Sequence, residues 1–202
     1  GNAALTIDGD VAGAGNSLTL NTSGTTNITT NATMTGLSSL TVSAGTTQIR
    51  ANITTTGNQV YNGAVTYFGN RTLTGANVQF ASTVAASGID DTLTIAVGNL
   101  NLDGAATVES LTVAEEANFD ANVTAHTGIT VSDKTTIADN KTITLTSGSV
   151  TTGNMSLEEV VGTTGGAGDE TLVLNSNSST IAVTGAVSDL ANLTITQSGG
   201  AT

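Results

Sequence analysis

The chain has 202 residues and a formal net charge of −12; 38% of it is hydrophobic but only 2% aromatic, and it holds neither Pro nor Cys. Without Cys there are no disulfides and no thiolate chemistry or metal ligation. The four basic residues, Arg50, Arg71, Lys134 and Lys141, are too dispersed to suit nucleic acid or an anionic membrane, and no apolar run approaches bilayer-spanning length.

In chain order, triplets of apolar, Thr, apolar recur at Leu5-Thr6-Ile7, Leu18-Thr19-Leu20, Leu40-Thr41-Val42, Leu93-Thr94-Ile95, Leu111-Thr112-Val113, Ile129-Thr130-Val131, Ile143-Thr144-Leu145 and Leu193-Thr194-Ile195. This alternation predicts strands with one buried and one wet face, and it separates the chain from a disordered Ser/Thr/Asn-rich one. Gly and Asn clusters follow, as at Ser43 to Gly45, Gly98-Asn99 and Ser198 to Gly200, and supply corners. The helix-friendly stretches, Leu111 to Phe119 and Leu157 to Val161, are short and lie among strand-like sequence, so they too read as strand.

From Leu93 onward the spacing clusters near 20 residues, a period that signals a solenoid. Ordering one such coil costs about 20 to 40 kcal/mol of backbone entropy. Its four to six inward aliphatics return only about 1.5 to 3 kcal/mol each, so a coil needs neighbours above and below. The predicted fold is an all-β parallel β-helix, a β-solenoid of roughly nine coils of about 20 residues. It forms a single elongated domain over 1–202, without evident end caps and with a slim aliphatic interior.

Within ITTTGNQVYNGAVT, Ile53 to Thr66, Ile53 and Val65 read as inward, Thr54 to Thr56 as a strand with outward hydroxyls, and Gly57-Asn58 and Asn62-Gly63 as corners. This stretch, with SLTVSAGTTQI at Ser39 to Ile49 and RTLTGANVQFASTVAASG at Arg71 to Gly88, resembles the repeat region of filamentous haemagglutinin-type adhesins and related autotransporter passenger domains. The match covers about a quarter of the chain; the other coils share its style. The resemblance implies a right-handed parallel β-helix exported to the bacterial cell surface, a shaft serving attachment or biofilm contact. That family's secretion domain carries Asn-Pro motifs, which a chain without Pro lacks, and no aromatic-terminated barrel follows, so a shaft portion or a subunit of the same architecture is expected. A start at Gly1 rather than Met adds the expectation of processing or excision from a longer chain.

Asn-x-Ser/Thr sequons at Asn21, Asn27, Asn31, Asn52, Asn70, Asn122, Asn140, Asn154 and Asn192 are possible glycosylation sites, although a chain this rich in Asn and Thr produces them by chance. Strand alternation puts Tyr67 and Phe68 on opposite faces; the pair is a candidate contact patch for a partner subunit or glycan, or else marks a wider coil. Asp90-Asp91 invites comparison with the paired carboxylates of β-helix polysaccharide hydrolases but lacks their basic and His-containing company, and reads as an acidic turn. His126 as a base would need a nucleophile or paired acid, which the sequence does not identify. GGAGDETLV at Gly165 to Val173 resembles one calcium-binding nonapeptide of repeats-in-toxin proteins, with Glu170 in place of Asp and Asp169 before it; no second copy supplies the remaining ligands, so calcium is only a weak expectation and no firm metal site or other cofactor follows.

The expectation is a structural, non-enzymatic, extracellular protein of the bacterial cell surface. Its partners would be copies of itself or flanking coils stacked end to end and an unspecified host or neighbouring-cell surface or glycan, without nucleic acid or membrane insertion. The alternatives are a surface-layer protein with calcium-dependent lattice contacts and, more remotely, a polysaccharide-active enzyme using Asp90 and Asp91.

Overall fold

The structure, a computed structural model, describes residues 2–148, 153–163, 169–177 and 180–197. Among these residues there is no helix, and strands pair in parallel from coil to coil in a β-solenoid of about nine turns. At about 4.8 Å per coil the stack is about 45 Å long.

Residues that sit directly over one another form columns. On the first face the column runs Leu5, Thr26, Thr47, Val65, Val84, Ala106, Val123, Leu145, Leu174 and Ile195. On the second it runs Val11, Met34, Ile53, Leu73, Ile95, Val113, Val131, Leu157 and Val183. On the third it runs Leu20, Val42, Tyr61, Phe80, Leu102, Phe119, Ile137 and Gly162. The buried members of these columns form one continuous apolar core, because alternate side chains of each strand point inward and every coil covers the one before.

The five triplets from Leu40-Thr41-Val42 to Ile143-Thr144-Leu145 sit as their pattern predicts, apolar pair buried and Thr outward, whereas Leu193 and Ile195 of the last triplet are exposed. Thr94, Thr112 and Thr130 stack on the outside of the second face between the buried pairs Leu93/Ile95, Leu111/Val113 and Ile129/Val131. Glu158 and Glu159 lie in the strand Asn154–Gly162, and Leu111 to Phe119 divides between the strands Ala106–Val113 and Ala117–Phe119. Lap length is uneven: the step from Ala106 to Val123 takes 17 residues and that from Leu145 to Leu174 takes 29.

One orientation differs from expectation. Thr55 points inward, 4% exposed, and its hydroxyl donates to the Gly57 carbonyl at 2.8 Å. Gly75 makes room for it: a Cβ there would stand 2.8 Å from Thr55 Oγ1 and 2.7 Å from the Gly57 carbonyl. A missing side chain one coil away therefore admits a polar group into the core.

Candidate functional site

The corner that follows the first face gathers most of the polar chemistry. Arg50 Cζ lies 3.6 Å from the centre of the Phe68 ring, and Arg50 Nη1 donates to Gln48 Oε1 at 2.7 Å. Arg71 Nε donates to the Phe68 carbonyl at 2.6 Å. Two of the chain's four basic residues thus meet at Phe68, Arg50 on its ring and Arg71 on its carbonyl, and this ring is the one aromatic ring that is not buried. Tyr67 points the other way, 1% exposed, with its hydroxyl donating to the Asp91 carbonyl at 2.9 Å. Burial foremost, and then the nearby Asp91 and Glu109 charges, push the Tyr67 phenol well above its usual range. Of the expected aromatic patch only Phe68 reaches the surface, because strand alternation sends Tyr67 into the core.

Asp90 and Asp91 do not form a carboxylate pair aimed at one point. Asp90 is exposed, whereas Asp91 closes its own turn, its Oδ2 accepting from Ser87 Oγ at 2.8 Å and from the Gly88 N–H at 2.9 Å. The acid that sequence reasoning could not find for His126 is Glu109: His126 Nδ1 lies 3.3 Å from Glu109 Oε2. A bulge brings them together, since the ladder pairs Val108 with Ala125 and Ser110 with Gly128, leaving Glu109 opposite both His126 and Thr127. Thr127 Oγ1 takes the other contact, donating to the Glu109 carbonyl at 3.0 Å. Glu109 and His126 border a shallow depression of about 220 Å³ with Ser87 and the exposed Ile89. The Ser87 hydroxyl is committed to Asp91, so among the described residues the corner holds an acid–imidazole pair without a nucleophile directed at it.

Four sequon asparagines have a structural task. The side-chain carbonyls of Asn52, Asn70, Asn122 and Asn154 accept the backbone N–H of Thr72, Thr92, Thr144 and Thr180 respectively, each from the following coil. Asn27 is half-buried within a strand, and Asn21, Asn31, Asn140 and Asn192 are exposed. The Asn therefore extends the ladder at strand starts, and the Thr or Ser two residues later shares its outward face, which is how the sequon pattern arises.

Residues 165–168 of the Gly-rich segment, and Ser198 to Gly200, lie outside the described residues. Asp169 is exposed, but Glu170 is fully buried. The described His, Asp and Glu side chains form no cluster of three that could hold a metal ion by themselves.

The remaining feature is the pair of open coil edges. The strand Asn192–Gln197 pairs with Thr171–Ser176 and with no other described strand. Leu193 and Ile195 are 37% and 54% exposed, in columns whose preceding members, Leu172 and Leu174, are fully buried. At the other edge Leu5–Ile7 pairs only with Thr25–Ile28 among the described strands.

No family model matches the chain, and neither does any curated protein or solved structure.

Proposed function

We propose that this chain is a length of shaft: a structural, non-enzymatic protein of the bacterial cell surface, part of an adhesin or extracellular filament, continued by further coils stacked on its open edges. The observation that carries this reading is the exposure of Leu193 and Ile195 on a strand that, among the described strands, is paired on one side. An apolar column that ends exposed on a strand at the edge of the described coils is a template for another strand. The columns of the two edges correspond: Ile195 closes the column that Leu5 opens, and Val183 the one that Val11 opens. A flanking coil or a second copy would thus meet apolar against apolar in both places. The resemblance of Ser39 to Gly88 to adhesin repeats supports the surface location.

Sedimentation velocity and negative-stain imaging of the chain over rising concentration test the proposal. Expected are unbranched rods of one coil's width that lengthen with concentration, and their loss in Ile195→Lys without loss of strand content. A compact monomer at every concentration, or two-dimensional sheets, would count against it. Labelling of intact cells with an antibody to the chain tests the location.

A further inference from the structure

In the third-face column every member before the last carries an apolar side chain, and the last, Gly162, carries none. The carboxylate of Glu170 reaches this place. A Cβ on Gly162 would stand 3.0 Å from Glu170 Oε2 and 2.0 Å from the main-chain carbonyl oxygen of Asp189, so the bare Gly162 Cα lets both oxygens close in on one point. Asp189 holds a left-handed backbone, φ 56°, at this point. Glu170 is 0% exposed, and neither of its carboxylate oxygens has a hydrogen-bond partner among the described residues. A carboxylate removed from water with no donor on either oxygen leaves its charge uncompensated, a costly arrangement unless a cation completes it.

We propose that Glu170 and the Asp189 carbonyl hold a divalent cation, calcium, that fastens the last described coil to the coil above it. The donor set is all oxygen, combining a carboxylate able to bind through both atoms with a backbone carbonyl, which suits a hard cation. Calcium accepts irregular oxygen cages, whereas magnesium demands a near-ideal octahedron and surrenders its water reluctantly. The cation would act where the coils join: Ala191 N–H and Asn192 N–H both donate to the Glu170 carbonyl, at 2.9 and 3.3 Å. This site is independent of the shaft reading and uses Glu170 rather than the exposed Asp169.

The test is titration of the whole chain with calcium chloride and, separately, magnesium chloride after chelator treatment, read by calorimetry, by thermal unfolding and by backbone amide resonances. Calcium should bind once. At a hundredfold excess over the dissociation constant it should raise the unfolding midpoint by roughly 5 °C. Its resonance shifts should be confined to Gly162, Glu170 and Asp189 to Asn192, with slower amide exchange at Ala191 and Asn192. Glu170→Gln should abolish the response, Asp169→Asn should keep it, and magnesium should be at least tenfold weaker. No calcium response in the wild-type chain overturns the proposal, as do an equal response in Glu170→Gln and shifts spread over the exposed acidic residues. The resonance map uses the wild-type chain alone and decides the matter if Glu170→Gln fails to fold.

Discussion

Tyr61 donates its phenol hydrogen to Gln59 Oε1 across 2.9 Å, with both residues 0% exposed. The amide nitrogen of Gln59 in turn donates to the carbonyls of Ile53 and Thr74, at 3.2 and 2.9 Å, and the Tyr61 ring stacks on Phe80 with centroids 5.2 Å apart. A polar side chain at a core position thus satisfies two strand carbonyls from adjacent coils.

Removing the amide should be costly. Gln59→Leu keeps the bulk but strands two carbonyls and a hydroxyl, and is expected to destabilise by about 3 kcal/mol, against about 1 kcal/mol for Tyr61→Phe. In the double variant the two losses should fall short of their sum by about 1 kcal/mol, as read by denaturant unfolding. Strict additivity would mean that the pair is not coupled.

The chain's two tyrosines, Tyr61 and Tyr67, are both buried, and desolvation pushes each phenol well above its usual value. Their folded pKa values are raised, so the stability that depends on the neutral phenols is whole below about pH 10, the unfolded value, and is lost as the pH climbs through it. The slope should be about 1.4 kcal/mol per pH unit for each tyrosine. Phenolate absorbance should therefore appear cooperatively with loss of strand signal. Smooth titration of either tyrosine near pH 10 in the folded chain would refute this.

Thr26 and Thr47 are stacked partners on the first face, both fully buried, and neither hydroxyl has a hydrogen-bond partner among the described residues. Valine has nearly the same shape without the stranded oxygen. Thr26→Val and Thr47→Val should each stabilise by about 1 kcal/mol, measured as a rise in the unfolding midpoint. A fall in either variant would show that the hydroxyl contributes to the fold.

Two glycines with similar backbones should respond unequally to alanine. Gly15 (φ 84°) has nothing within 4 Å of its Cβ position, whereas at Gly98 (φ 82°) a Cβ would sit 2.0 Å from the Gly75 carbonyl oxygen. Gly15→Ala should cost about 1 kcal/mol, the left-handed penalty alone. Gly98→Ala should cost about 3 kcal/mol or more, since the coil above must also shift. Equal losses, compared by thermal unfolding, would mean that coil contact adds nothing to the penalty.

The amino-acid sequence by itself determined the coil. Alternation in the Thr triplets fixes which side chains face in, and the absence of Pro leaves every backbone N–H free to pair, so strand, face and approximate turn number are local properties legible in order along the chain. What lies over what was decided only by the tertiary structure. Laps of 17 to 29 residues and single-residue bulges set the vertical register, and that register puts Glu109 against His126, Arg50 and Arg71 about Phe68, and the Glu170 carboxylate beside Gly162. Neighbours along the solenoid axis are a whole lap apart in sequence, so a small change in one corner moves every later pairing, and only the stacked coils fix the sum of those changes.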